Sequence, residues 1–255
     1  MLNQPLFNQL DALGLRGMSR ALTQQQRTPD VNNLNFEDRL ALLLEHEQLD
    51  RANHRIAQRL RWAKLAQNAT LEDIDIRTTR GLDRTLLTRL ADLSWLEQGM
   101  NVLINGPTGV GKSYIACALA HHACRHDHSV RYYRLPRLQE ELIRAGALQK
   151  KSAFYKSIAK TKLLVLDDFG LMPLTDNFQR DLLELLDDRY NRHATLITSQ
   201  LPVEQWHGYL GDPTLADAIL DRLVHNAYRV NLKGESMRKM RAKKKTDSTV
   251  SATDD

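Results

Sequence analysis

The chain has 255 residues, enough for one large α/β domain with a buried core and a smaller helical unit. Its 36 basic and 31 acidic residues leave a formal charge of +5, a mild bias toward a polyanionic partner. It has no long unbroken apolar run, and residues 1–10 lack a basic stretch followed by an apolar core. Neither a membrane span nor a signal peptide is expected, and the protein reads as cytoplasmic.

Helical periodicity begins at once. One helix is expected from Gln4 to Gln25, weakened at Gly14 or Gly17. Phe36, Leu40, Leu43, Leu44, Ile56, Leu60 and Ala63 then recur at helical spacing behind Asn35 as N-cap, so Phe36 to Leu65 reads as one long helix or as two broken near Asp50. Arg51, Arg55 and Arg59 repeat every fourth residue near Arg61 and Lys64, which suits either a phosphate backbone or a solvated face. Residues 1–67 make an expected small all-α domain. The junction follows from Asn68 to Gln98, with Leu71, Ile74 and Ile76 packing on the next domain and a helix from Arg84 to Leu93.

Strand candidates at Asn101 to Asn105, Val130 to Leu135, Leu163 to Asp167, Ala194 to Thr198 and Tyr228 to Leu232 alternate with helical stretches. That order predicts an α/β domain over 68–241 with a five-stranded parallel sheet covered on both faces. No separate C-terminal helical lid is expected, because only a short helix and a basic, disordered tail at 242–255 remain. The basic run Arg238, Lys239, Arg241, Lys243, Lys244 and Lys245 leads into that tail.

Between the first strand candidate and the next helix lies Gly106-Pro107-Thr108-Gly109-Val110-Gly111-Lys112-Ser113, the GxxxxGK[ST] phosphate loop. Three glycines can turn successive N–H groups toward a triphosphate. Lys112 would reach the β- and γ-phosphates, and Ser113 would offer its hydroxyl to Mg2+. ATP and Mg2+ are therefore the expected cofactors. Cys117 and Cys124, on the helix after the loop, are roughly 10 Å apart, too far for a disulfide. With His121, His122, His126 and His128 nearby, they read as core thiols rather than zinc ligands.

Leu163-Leu164-Val165-Leu166-Asp167-Asp168 is a buried strand that ends in two carboxylates, a Walker B pattern. Parallel sheets gather ligands at the carboxyl ends of their strands, so Asp167 is expected at magnesium and Asp168 at the attacking water. The fourth strand ends in polar groups, with Ser199 the first candidate to sense the γ-phosphate and Thr198 the second. Arg222 and Arg238 are candidates to meet phosphate charge.

This order of motifs, with Asp221-Arg222-Leu223 and Gly234-Glu235-Ser236-Met237-Arg238, resembles the AAA+ ATPases over about Asn68 to Arg241. More narrowly it resembles the IstB/DnaC branch, and within it the IstB-like ATPases of bacterial insertion sequences, a likeness that extends to Tyr114-Ile115-Ala116. The resemblance implies a bacterial ATPase that forms homo-oligomers with ATP, binds and deforms double-stranded DNA, and recruits and stimulates a transposase. It makes Ser199 sensor I, Arg222 a finger supplied to a neighbouring subunit and Arg238 sensor II, and it adds Tyr114 to the nucleotide site. It also implies a DNA-facing segment from Pro136 to Lys160 that carries Arg137, Arg144, Lys150, Lys151, Lys156 and Lys160. Asp168 stands where many AAA+ enzymes carry glutamate, so slow turnover is expected. The alternatives are a DnaC-like replicative-helicase loader and a small-molecule P-loop kinase.

Overall fold

The computed structural model describes residues 4–28, 31, 33–76, 81–82 and 84–237. Arg238, the basic run that it opens and the tail lie outside the described residues. The chain divides into two compact units, Met1–Arg59 and Leu60–Asp255.

In the first unit the expected early helix is two, Gln4–Ala12 (α1) and Arg16–Arg27 (α2), separated at Gly14 with φ +71°. Gly17 serves close packing instead. A Cβ there would lie 2.6 Å from Glu47 Cα and 2.7 Å from the His46 carbonyl oxygen, so only hydrogen fits. Glu47 accepts from the backbone N–H groups of Gly17 (2.8 Å) and Met18 (3.1 Å), which occupies donors that the first turn of α2 leaves free. Phe36–Ala63 (α3) is one helix, unbroken at Asp50, and Asn35 Oδ1 caps it by accepting from Asp38 N–H at 2.8 Å.

The second unit is built on five parallel strands, Asn101–Asn105 (β1), Val130–Arg134 (β2), Leu163–Phe169 (β3), Ala194–Ser199 (β4) and Ala227–Asn231 (β5), in the order β2-β3-β4-β1-β5. Side-chain alternation divides the core. Val102, Ile104, Val165, Leu196 and Val230 face Lys112–Arg125 (α6), together with Leu90 of Arg84–Ala91 (α4) and Trp95 of Ser94–Glu97 (α5). Leu103, Leu164, Leu166 and Ile197 face Leu135–Ala147 (α7), Asp176–Arg189 (α9) and Pro213–Val224 (α11). Lys151–Ala159 (α8) also lies on that side, and Trp206–Leu210 (α10) precedes α11. Helices therefore cover both faces, which is why the middle of β1, Val102 to Ile104, and most of β3 are apolar without interruption. At the junction Ile74 is buried and Leu71 packs on the core, but Ile76 is exposed.

Arg189 fixes the end of α8 to the sheet. It is buried and donates to the carbonyls of Ile158 (2.8 Å), Thr161 (2.7 Å) and Ala194 and to the Thr195 hydroxyl. Burial pulls its pKa down, yet the carbonyl dipoles satisfy its donors without a carboxylate.

Candidate active site

The phosphate loop leaves β1 at Asn105, which stands beside Ser199 in the parallel ladder, and Gly106 N–H donates to the Ser199 carbonyl at 3.2 Å. Gly109 and Gly111 have φ of +85° and +102°, conformations that side-chain-bearing residues rarely adopt. Gly109 also meets a close neighbour, because a Cβ there would lie 2.3 Å from Ser236 Oγ. Met237 N–H donates to the Gly109 carbonyl at 2.9 Å, so the segment after β5 runs along the loop. Val110 anchors the turn in the core, while Pro107 and Thr108 are exposed and Tyr114 is half-buried against the α6-side core. The loop then opens directly onto the N-terminus of α6, where free N–H groups and the helix dipole favour an anion.

Lys112 is buried, and its Nζ donates to the carbonyls of Gly106 (2.8 Å) and Pro107 (2.9 Å), so the ammonium lies under the loop. Burial lowers its pKa, and the charges of Asp167 and Asp168 oppose that shift.

The two carboxylates differ in surroundings. Asp167 is buried on the α6 side of β3, where its Oδ1 accepts from Ser113 Oγ (2.9 Å) and from Thr198 Oγ1, and its Oδ2 accepts from the Tyr132 hydroxyl. Asp168 leaves the strand alternation through a bulge. Leu166 pairs with Ile197 and Phe169 with Ser199, so β3 spends one residue more than β4, and Asp168 takes φ +63°. Phe169 returns to the core opposite α6, and the carboxylate of Asp168 is re-aimed at the sheet edge. Thr198 Oγ1 lies 3.3 Å from Asp168 N and accepts from it. Arg134 Nε donates to Asp168 Oδ2 at 2.7 Å, so a guanidinium neighbours this carboxylate at the sheet edge and holds one of its two oxygens.

These groups suit ATP with magnesium. Ser113 and Asp167 present hard oxygen donors 2.9 Å apart at the helix N-terminus, and Lys112 stands beside them to meet phosphate.

Other candidates are placed differently. Ser199 is wholly buried, and its hydroxyl donates to the Phe169 carbonyl (2.7 Å) and accepts from Leu201 N–H (3.0 Å). The exposed neighbour Gln200 turns to the loop, accepting from Thr108 Oγ1 at 2.7 Å. Arg222 lies at the opposite sheet edge. Its carbonyl accepts from Asn101 Nδ2 at 2.8 Å, and Asn101 begins β1 roughly 16 Å before the phosphate loop. Its guanidinium pairs with Asp187 at 2.6 Å. Arg137 and Arg144 project from α7, Lys150 and Lys160 flank α8, and Lys156 is on it, all exposed. Lys151 is half-buried in an ion pair with Asp181 of α9 at 2.7 Å, so it is not a free cation. Among the described residues no three His, Cys, Asp or Glu side chains converge as metal ligands, and Cys117 and Cys124 are buried. No described helix is long and apolar enough to cross a membrane.

A model of the family described as IstB-like ATP binding protein matches residues 8–246. The chain belongs to the IstB-like family. An insertion-sequence ATP-binding protein of Sinorhizobium fredii, y4pL, is 47% identical to the IstB-like chain over 96% of it and 100% of the relative. The ATP-binding protein of insertion sequence IS1162 from Pseudomonas fluorescens is 44% identical over 79% of the chain and 88% of the relative. Among solved structures, the DnaC helicase loader superposes with a TM-score of 0.57 at 22% identity, covering 67% of the chain and 100% of the loader. The replication initiator DnaA bound to AMPPCP and single-stranded DNA gives 0.58 at 15%, covering 72% of the chain and 56% of DnaA. At these identities the likeness is one of fold. Family and fold together make the IstB-like protein an AAA+ P-loop ATPase of the insertion-sequence type.

Proposed function

We propose that this IstB-like protein is an ATP-dependent, DNA-binding oligomer that remodels duplex DNA and recruits and stimulates a transposase. The observation that carries the proposal is that the phosphate-binding, metal-holding and water-orienting groups meet in one site among the described residues, and Arg222 does not join them. Lys112, Ser113, Asp167 and Asp168 converge, while Arg222 stands at the far edge of the same sheet, where it suits a neighbour's site.

In this reading the loop N–H groups and Lys112 bind the β- and γ-phosphates, and Ser113 and Asp167 hold magnesium, which when bound neutralises phosphate charge. Asp168, one oxygen of which is held by Arg134, orients and deprotonates the attacking water. Gln200, rather than Ser199, follows the γ-phosphate, because the Ser199 hydroxyl is engaged by backbone on both sides. Arg222 of one subunit and Arg238 complete the charge around the phosphates. The names of the relatives support an insertion-sequence role, and family membership separates the chain from small-molecule P-loop kinases. The likeness to DnaC bears on fold alone and adds no weight to a helicase-loading role.

The DNA-facing elements are assigned to α7 and α8. Contacts there would be to phosphates, independent of base sequence and steeply dependent on salt. Replacing Lys150, Lys156 and Lys160 by alanine, and leaving Lys151 to hold α8 to α9, tests this. Binding to unrelated duplexes should weaken equally, and the slope of log affinity against log salt should fall by up to about 3, one phosphate per lysine. An unchanged slope would move the DNA elsewhere, and loss on one sequence alone would indicate base readout.

A further inference from the structure

We propose that Tyr132 is a positioning residue for magnesium, holding Asp167 so that Oδ1 faces Ser113; this rests on the reading of Asp167 as the carboxylate that holds the metal. Tyr132 pairs with Val165 across β2 and β3, and Asp167 lies two residues further on the same face. The tyrosine side chain spans that offset along the face. The ring is buried in the α6-side core, and the hydroxyl donates to Oδ2 of Asp167. Nothing in the phosphate-loop or Asp-Asp patterns marks this tyrosine. As sequence it is one more aromatic residue in a strand.

The two oxygens of Asp167 have different neighbours. Oδ1 takes Ser113 and Thr198, and among the described residues Tyr132 is the donor to Oδ2. When the Ser113 hydroxyl turns to magnesium, Asp167 keeps one donor on each oxygen, so its plane stays fixed without Ser113. Removal of the phenol oxygen leaves a buried carboxylate oxygen without its donor and lets the group rotate about its last bond, away from the orientation that serves the metal. Tyr132 acts through Asp167.

The test is Tyr132→Phe, which keeps the ring in its core site, compared with Asp167→Asn and the parent. Affinity for a fluorescent ATP analogue is measured without divalent metal and then across a magnesium titration. Manganese binding to the nucleotide complex, read by electron paramagnetic resonance, supplies a readout free of turnover. The expected result is a rise of about 10- to 100-fold in the magnesium needed for half-saturation, with metal-free nucleotide affinity at the parent value and a cooperative melt. The proposal is overturned if Tyr132→Phe titrates like the parent while Asp167→Asn is shifted. It is also overturned if metal-free affinity falls as far as metal-bound affinity, since Tyr132 would then support the site only as packing. If Asp167→Asn itself shows no shift, the reading of Asp167 at the metal fails, and this inference fails with it.

Discussion

Subunits carrying Arg222→Ala and subunits carrying Asp167→Ala, each nearly inactive alone, are expected to recover ATP hydrolysis when mixed. The Asn101 side chain ties the Arg222 backbone to the start of β1, while the phosphates would lie beyond the end of that strand. An arginine side chain cannot span that distance, so Arg222 does not reach its own subunit's phosphates, as the proposed role in a neighbour's site requires. Asp187 takes the Nε of Arg222 and so orients the guanidinium. Arginine fingers contribute about 10³ to 10⁵ in rate, so the single variant should fall nearly to background. In a head-to-tail assembly mixed in equal parts, roughly one interface in four joins an intact Asp167 to an intact Arg222. A mixture no faster than the sum of its parts would remove Arg222 from the reaction.

The second large effect separates binding from chemistry. Lys112→Ala should abolish ATP binding, because it removes the ammonium that ties the Gly106 and Pro107 carbonyls together and would meet the phosphates. Asp168→Asn should bind ATP like the parent and hydrolyse it about 10² to 10⁴ times more slowly, the usual worth of a positioned base. Equilibrium nucleotide titration and single-turnover hydrolysis distinguish the two. Parent-rate hydrolysis by Asp168→Asn would assign the base elsewhere.

Much of the fold is legible in the sequence because parallel strands buried on both faces are largely apolar runs, and β1 extends one asparagine beyond its run at each end. The phosphate loop is legible for a different reason. Its chemistry requires glycine at set positions, so Gly106 and Gly111, both at positive φ, carry a backbone signal independent of tertiary context. What escapes is whatever depends on register. β4 runs one residue further than its apolar pattern, to Ser199, because Ser199 pairs with Asn105 and accepts from Gly106, and this shift buries Ser199 and brings Gln200 to the loop. The bulge that re-aims Asp168 is visible only in the pairing of β3 with β4. The contacts of Tyr132 with Asp167, Arg134 with Asp168 and Lys151 with Asp181 join residues about thirty apart in sequence, and no local period encodes them. Gly17 reads as a helix breaker but sits inside α2, where a crossing helix requires hydrogen in place of a side chain.

The most direct measurement of the central claim is strand transfer by the proposed partner, an insertion-sequence transposase, assayed on duplex DNA with the parent protein in ATP and in ADP and with Lys112→Ala in ATP. Stimulation is expected from the parent protein in ATP, little in ADP and none from Lys112→Ala. A transposase equally active with all three, or without the protein, would contradict it.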